Sequence, residues 1–144
     1  MNGIIVADSS VVVKWMIPEE LSAEASAVLA KAQAGNAKLI APDLLVAEVG
    51  NVLWKHHRRD NLSSIELTHA LSLFHLLPIT YISSNGLIDL ACNLAVAYQR
   101  SVYDMLYVAL SIQRSALFLT ADQRLVNAVS AKLPQVQWIG DWKP

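Results

Sequence analysis

Five short apolar runs, separated by segments with a helical pattern, set the strongest limit on how this 144-residue chain can fold. None of them alternates apolar with polar residues, as a strand with one face in water would. Continuous apolar strands are typical of a parallel sheet that helices cover on both faces. The runs are GIIVAD (3–8), KLIAP (38–42), ITYIS (79–83), ALFLTA (116–121) and VQWIG (136–140). We therefore predict an α/β fold over residues 1–144, a single three-layer α/β/α domain with a mainly parallel sheet of about five strands.

The segments between these runs carry signals for helix boundaries. Ser22 has the position and chemistry of an N-cap for a helix that stops at Gly35. Ser63 and Glu66 have the spacing of a capping box. The stretch Val11–Val13 is ambiguous, and Pro18 ends whatever helix it forms. Further helices are predicted over 43–60, 62–78, 85–101, 102–115 and 123–133.

Composition narrows the class of protein. Charged residues make up 16% of the chain, below the usual figure of about 25%, so apolar residues take a larger share than usual. That surplus of apolar residues favours a homodimer or another partner. No apolar run approaches the roughly 18 residues of a membrane span, and no basic region of a signal peptide follows Met1. The single Cys92 excludes a disulfide framework, and the net charge of −1 argues against a histone-like nucleic-acid coat. We expect a cytoplasmic protein.

Four of the twelve acidic residues stand where acids are unusual. Asp8 ends the first apolar run and Asp122 directly follows the fourth, so both lie at carboxyl ends of predicted strands, where open α/β sheets bind ligands. Glu48 has apolar neighbours at helical spacing and is predicted to face inward. Asp104 stands among the apolar residues that open a helix. These positions predict one shared acidic site.

Each acid also has an ordinary explanation. Asp8 and Asp122 are placed to cap the helices that follow them. Ser101 and Asp104 have the spacing of a capping box, and Glu48 is able to bind a buried backbone group or a lysine. Four such coincidences are less probable than one site, although gathering four carboxylates needs a counter-charge. Two unit charges about 4 Å apart repel by roughly 4 kcal/mol at an effective dielectric near 20.

No set of Lys or Arg at the predicted strand ends is placed to neutralise these acids, which leaves divalent cations as the expected counter-charge. An all-carboxylate shell suits Mg²⁺ or Mn²⁺ better than Zn²⁺. The chemistry that such a site serves is in-line attack of water on a phosphodiester. The residues therefore point to a metal-dependent phosphodiesterase.

Four sequence motifs carry a resemblance to a known family. IIVADSS, PDLLVAEVGNVLW, YDMLYVAL and FLTADQRL resemble, in order and spacing, the motifs of the PIN domain, specifically those of VapC-like toxin ribonucleases from bacterial toxin–antitoxin pairs. The resemblance covers essentially the whole chain. It implies a Mg²⁺- or Mn²⁺-dependent endoribonuclease that hydrolyses RNA, forms a homodimer and is inhibited by a cognate VapB-like antitoxin. By position, the resemblance implies that the catalytic and metal-binding residues are Asp8, Glu48, Asp104 and Asp122. It also implies that two hydroxyls orient carboxylates or bound water, those of Ser9 and Thr120.

The densest basic cluster is KHHRRD, over 55–60. One interpretation is a solvated helix end whose cations suit the helix dipole. The other is contact between RNA phosphates and the side chains of Lys55, Arg58 and Arg59, without base specificity. Lys14 follows Asp8 closely and has the same two interpretations, an exposed helix cation or a contact with the scissile phosphate.

Other acidic-pocket proteins fit the sequence less well. A receiver-type phosphotransfer domain needs a phosphoacceptor Asp after the third strand, where this chain has YISS. A haloacid-dehalogenase-type phosphatase needs an acid at position 10, which is Ser10. A catalytically silent PIN-like interaction module is expected to lack acids that are all present here. The nuclease interpretation is therefore favoured.

Overall fold

The computed structural model describes residues 3–144 and contains one five-stranded sheet. The strands are Gly3–Ala7 (β1), Ala37–Pro42 (β2), Ile79–Ile82 (β3), Leu117–Thr120 (β4) and Val136–Trp138 (β5). They lie in the order β3-β2-β1-β4-β5, and every neighbouring pair is parallel. The predicted parallel sheet is confirmed.

Seven α-helices connect the strands within residues 3–144. They are Ser9–Val12 (α1), Ser22–Gln33 (α2), Leu44–Arg58 (α3), Ser64–His75 (α4), Ile88–Tyr98 (α5), Val102–Gln113 (α6) and Gln123–Val129 (α7). From β1 the chain moves outward through β2 and β3, and it then returns to form β4 on the other side of β1. Because parallel crossovers are right-handed, this reversal puts α1–α4 on one face of the sheet and α5–α7 on the other. The three layers follow from that topology.

Helix α6 explains why so apolar a stretch surrounds Asp104. Seven consecutive residues of this helix, 105–111, are buried, and the helix packs against β1, β2 and β4. Asp104 lies just before the buried run, and its side chain is 34% exposed. The acid therefore stands at the rim of the core, facing the carboxyl edge of the sheet.

The register between β1 and β4 brings two functional candidates together. Ala7 pairs with Leu119, so the residues that follow them, Asp8 and Thr120, are neighbours at the carboxyl edge. The order of the strands reverses at β1, and the crevice beside such a strand is where open α/β sheets bind ligands. The topology thus places Asp8 at the expected binding crevice.

The capping box of α4 is confirmed, whereas the predicted N-cap of α2 is wrong. Both bonds of the box between Ser63 and Glu66 are present. The N-cap of α2 is Leu21, in a left-handed conformation with φ of 64°. The Ser22 hydroxyl instead accepts a hydrogen bond of 2.8 Å from the backbone N–H of Glu19, and it thereby closes the preceding turn.

The last helix is shorter than predicted. It ends at Val129 rather than at 133, and the chain turns so that the N–H of Leu133 donates to the carbonyl of Val129. Pro134 disfavours a helical conformation at Leu133, which helps to end the helix early.

No helix within residues 3–144 has the length and apolar character needed to cross a membrane.

Candidate active site

Two hydroxyl groups hold Asp8 at the end of β1. The hydroxyl of Ser10 donates to Oδ1 of Asp8 at 2.5 Å, and the hydroxyl of Thr120 donates to Oδ2 at 2.6 Å. Ser10 Oγ also accepts a hydrogen bond of 2.9 Å from the backbone N–H of Ala121, which ties α1 to the end of β4. Asp8 is only 9% exposed. The protein therefore fixes the direction of both carboxylate oxygens.

The environment of Asp8 makes its charge costly. Burial raises the pKa of Asp8 to about 6 from its ordinary 3.8, and the negative charge of Glu48 adds to this effect. The hydrogen bonds from Ser10 and Thr120 act in the opposite direction, because they favour the ionised carboxylate. A cation beside Asp8 would lower its pKa and relieve that cost.

Glu48 lies on α3 and is oriented by Tyr107 of α6. The phenolic hydroxyl donates to Oε1 of Glu48 at 2.5 Å. Tyr107 is 2% exposed and its ring stacks on Phe118, with the ring centroids 5.8 Å apart, so the core fixes the hydroxyl. Burial raises the pKa of Glu48, the bond from Tyr107 lowers it, and the charge of Asp104 raises it. Glu48 faces inward, as its apolar neighbours predict.

The cap at the start of α6 and the carboxylate of Asp104 are separate features. Ser101 is the N-cap, and its hydroxyl accepts a hydrogen bond of 3.1 Å from the backbone N–H of Asp104. The carboxylate of Asp104 turns instead to Arg100, whose Nη2 donates to Oδ2 at 3.1 Å. Of the two residues with capping-box spacing, only Ser101 therefore acts as a cap. The carboxylate of Asp104 takes no part in the cap and is able to contact other groups.

Asp122 caps a helix with one carboxylate oxygen and contacts Arg100 with the other. It is the N-cap of α7, and its Oδ1 accepts a hydrogen bond of 3.1 Å from the backbone N–H of Leu125. Its other oxygen, Oδ2, lies 3.4 Å from Nη2 of Arg100. Its own N–H donates to the hydroxyl of Thr120 at 3.1 Å. The cap orients Asp122 so that Oδ2 faces Arg100 and Asp104.

Arg100 is the residue of this site that sequence reasoning missed. The expectation that no Lys or Arg would neutralise the acids concerned only those at the strand ends, whereas this guanidinium lies between α5 and α6 and bridges Asp104 and Asp122. Arg100 precedes α6 and follows Gln99, which ends α5 in a left-handed conformation with φ of 53°. The sharp turn aims the side chain back over the first turn of α6. The spacing of four residues from Asp104 is the one available signal, but the two residues belong to different predicted helices, those over 85–101 and 102–115.

The four acids form a row of neighbouring residues and not a ready-made metal-binding cluster. Charge effects on pKa connect Asp8 with Glu48 and Glu48 with Asp104, and Arg100 connects Asp104 with Asp122. Within residues 3–144, no three His, Cys, Asp or Glu side chains are already grouped as metal ligands. The donors are all carboxylate oxygens, which fit a hard cation such as Mg²⁺ or Mn²⁺ in chemistry.

The predicted hydroxyls divide into one that contacts an acid and one that does not. Thr120 orients Asp8, as the resemblance implies. Within the described part of the chain Ser9 makes no side-chain hydrogen bond, and its neighbour Ser10 binds Asp8. The Ser10 hydroxyl also accepts a hydrogen bond from the backbone N–H of Ala121, so it is held between the ends of β1 and β4. The Ser-Ser pair of the IIVADSS motif indicated that a serine hydroxyl would contact the acid, but the sequence alone does not say which serine faces it.

The predicted basic residues occupy two different environments. Nζ of Lys14 pairs with Oε1 of Glu19 at 2.9 Å, and the Lys14 side chain is 9% exposed, so it is not an exposed helix cation, and its contact with a scissile phosphate stays a prediction. Arg58 lies over the ring of Trp54, with Cζ 5.5 Å from the ring centroid. A shallow surface depression of about 360 Å³ is lined by Trp54, Lys55, Arg58 and Arg59. The cluster at the end of α3 is thus an exposed basic and aromatic surface.

Comparisons with known proteins agree with this geometry. A family model described as the PIN domain matches residues 5–130. Ribonuclease VapC3 of Pyrobaculum aerophilum is 33% identical over 129 residues, which are 88% of this chain and 95% of that protein. The family match therefore spans β1 to β4 and all four acids.

Two solved structures share the fold at low sequence identity. PAE2754 from Pyrobaculum aerophilum has a TM-score of 0.65 and 18% identity, and the match covers 97% of this chain and 93% of that one. VapC20 of Mycobacterium tuberculosis, described as a sarcin–ricin loop cleaving toxin, has a TM-score of 0.62 and 14% identity, with 87% and 95% coverage. The two structures thus show that the fold of this chain is shared with PAE2754 and VapC20.

Proposed function

The chain belongs to the PIN domain family, and from that membership we propose that it is an endoribonuclease that requires Mg²⁺ or Mn²⁺ and acts as the toxin of a toxin–antitoxin pair. One observation carries the proposal: four segments far apart in sequence bring a coupled row of carboxylates to the carboxyl edge of the sheet. The identity of 33% with Ribonuclease VapC3 supports RNA as the class of substrate.

The residues that would hold the cation are Asp8, Glu48, Asp104 and Asp122. When bound, the cation lowers the pKa of a water molecule and stabilises the charge on the leaving oxygen of a phosphodiester. The chain supplies the orientation of the ligands. Ser10 and Thr120 fix Asp8, and the buried hydroxyl of Tyr107 fixes Glu48.

The direction of α3 supports a route for the RNA strand. Lys55 and Arg59 follow Glu48 by seven and eleven residues, which puts them on nearly the same helix face. At 1.5 Å per residue they lie about 10 and 16 Å farther along the axis. Cations on that line are suited to bind successive phosphates of a strand that passes over the acids. Arg58 points to a neighbouring face, where it lies over Trp54.

Exposed apolar side chains support protein partners. Ile65, Leu76 and Val96 are each at least 80% exposed, which leaves apolar area on α4, on the turn after it and on α5 that a partner would cover. We propose that such surfaces are covered in a homodimer and in a complex with a VapB-like antitoxin. Light scattering at micromolar concentration should give twice the chain mass of 15.8 kDa, and a mass of one chain would contradict the dimer.

Cleavage of a mixed RNA pool tests the proposed activity. The protein should cut RNA in Mg²⁺ or Mn²⁺, stop in EDTA and recover when excess Mg²⁺ is added. Asp104→Asn should be inactive, whereas Asp141→Asn, which changes an exposed acid outside the site, should cleave normally. Equal cleavage in EDTA would contradict the metal requirement. A folded protein that cleaves nothing in either cation would contradict the ribonuclease activity.

A further inference from the structure

The most informative group outside the acidic quartet is Arg100. Its Nη2 lies 3.1 Å from Oδ2 of Asp104 and 3.4 Å from Oδ2 of Asp122, so one guanidinium nitrogen serves two of the proposed metal ligands. Both oxygens of Asp122 are then engaged, because Oδ1 accepts from the N–H of Leu125. A divalent cation that used Oδ2 of either acid would need the position that the guanidinium occupies.

Resting on the proposed function, we propose that Arg100 is a built-in competitor of the divalent cation: its guanidinium bridges Asp104 and Asp122 and must leave them before the cation binds. The residue is thus a positioning residue that sets how much Mg²⁺ or Mn²⁺ the site needs. A guanidinium is always charged and its planar fork suits pairs of carboxylates, so it is an effective stand-in for a metal.

Electrostatics makes the two cations exclusive at this place. A divalent ion a few ångströms from a guanidinium meets a repulsion twice that between two unit charges. Mg²⁺ binds through one or two carboxylates and keeps several waters, and an ion that used Oδ2 of Asp104 or of Asp122 would need the oxygen that Nη2 of Arg100 contacts. The cation and Arg100 therefore exchange rather than share Asp104 and Asp122.

The position of Arg100 also permits it to leave. Its side chain is 24% exposed, so a rotation about its flexible stem carries the charged head into water. Within residues 3–144 its buried Nε has no hydrogen-bond partner, and an unpaired buried N–H favours a conformation that reaches solvent. Within the described residues, Nη2 of Arg100 therefore contacts both carboxylates while Nε has no partner, which is expected of a contact that another cation displaces.

Titration of the protein with Mn²⁺ in the absence of RNA tests the exchange. The rise of the melting temperature with Mn²⁺ concentration gives the dissociation constant, the free Mn²⁺ concentration at which half of the sites are filled, and electron paramagnetic resonance of free Mn²⁺ gives the same constant independently. Arg100→Gln should lower that concentration by roughly tenfold, the expected effect of removing hydrogen bonds to charged groups that compete with the ion. The matched control is Arg114→Gln, an exposed arginine at the far end of α6, and it should stay within about twofold of the wild type.

A second measurement uses the unaltered protein and does not depend on how well a variant folds. The Nε–H resonance of Arg100 in a proton–nitrogen spectrum should shift or broaden as Mg²⁺ saturates the site, because the side chain moves into water. Arg114 should show no such change.

Two results would overturn the competition. One is Mn²⁺ affinity in Arg100→Gln that is equal to or weaker than that of the wild type. The other is an Arg100 resonance that stays unchanged while neighbouring backbone signals of Asp104 report saturation by Mg²⁺. A different failure marks the proposed function itself: neither the wild type nor Arg100→Gln binds a divalent ion at concentrations that support RNA cleavage.

Discussion

The hydroxyl of Tyr107 donates a 2.5 Å hydrogen bond to the carboxylate of Glu48, which lies 59 positions earlier in the chain. This bond connects the buried face of α6 to the second turn of α3, so the packing of the core determines where Glu48 points. Because the hydrogen bond favours the ionised carboxylate, it also opposes the effect of burial on the pKa of Glu48.

Replacing Tyr107 with phenylalanine should therefore change the pH dependence of cleavage. In Tyr107→Phe the pKa of Glu48 rises, because the bond that lowers it is removed. We expect the acid limb of the pH–rate profile to move to higher pH, because the hydrogen bond that favours the charged carboxylate is lost. Tyr103→Phe is the control, since that tyrosine is on the same helix and 63% exposed. An acid limb that does not move would show that Tyr107 does not act through Glu48.

Two substitutions at the start of α6 should separate its cap from its carboxylate. Ser101→Ala removes the hydroxyl that accepts the N–H of Asp104 and should lower the free energy of unfolding by about 1 kcal/mol, with cleavage retained. Asp104→Asn keeps that cap but removes a negative charge, so cleavage should collapse while the stability in EDTA stays nearly unchanged. Full activity in Asp104→Asn would return Asp104 to a structural role.

Asp8 should make the unfolding free energy depend on pH in the absence of metal. Its pKa of about 6 in the folded chain lies above the ordinary 3.8, so the folded state binds the proton more tightly than the unfolded state does. The stability that this proton contributes is complete below pH 4 and is lost as pH rises through 6. The difference corresponds to about 3 kcal/mol.

Urea unfolding in EDTA measures this effect. Relative to the wild type, Asp8→Asn should gain stability between pH 4 and pH 8, because the amide cannot become charged and the rotating hydroxyls of Ser10 and Thr120 can still bond it. Asp141→Asn, at an exposed position, should show no such trend. A constant difference between Asp8→Asn and the wild type across this range would mean that Asp8 is not desolvated.

The cations on the Glu48 face of α3 should contribute to RNA affinity through phosphates. Lys55→Gln combined with Arg59→Gln should weaken binding about equally for different sequences. It should also flatten the plot of log affinity against log salt by about 0.7 for each phosphate of a single strand that the variant no longer neutralises. Arg114→Gln with Lys132→Gln is the control pair of exposed cations. An unchanged salt slope in the Lys55 and Arg59 variant would make the cluster a solvated helix end.

The features that the sequence predicted well are those that depend on neighbours along the chain. The continuous apolar runs predicted the parallel sheet, and because strands of such a sheet end at one edge, they also predicted that Asp8 would lie near the segment around Thr120. The capping box of Ser63 and Glu66 is equally local. These predictions needed only the strand and helix periods together with turn chemistry.

Of the features that it missed, the place of Arg100 and the choice between Ser9 and Ser10 depend on tertiary contacts, whereas the role of Ser22 depends on a local turn. Arg100 is 22 residues from Asp122, and only the turn at Gln99 and the packing of α6 on the sheet bring the two together. Ser22 has the residue type and position of a cap, but the left-handed Leu21 lets its hydroxyl bond to Glu19 instead. The choice between Ser9 and Ser10 depends on which one faces β4, which no local pattern specifies.

The central claim is that Asp8, Glu48, Asp104 and Asp122 together bind the divalent cation that RNA cleavage requires. A crystal structure of the protein in Mn²⁺, with the metal located by its anomalous scattering, tests it most directly. We predict density for Mn²⁺ within coordination distance, about 2.0 to 2.3 Å, of oxygens from this quartet, with Arg100 turned away from Asp104 and Asp122. Anomalous density that lies away from the quartet, or none at a Mn²⁺ concentration that supports cleavage, would contradict the claim.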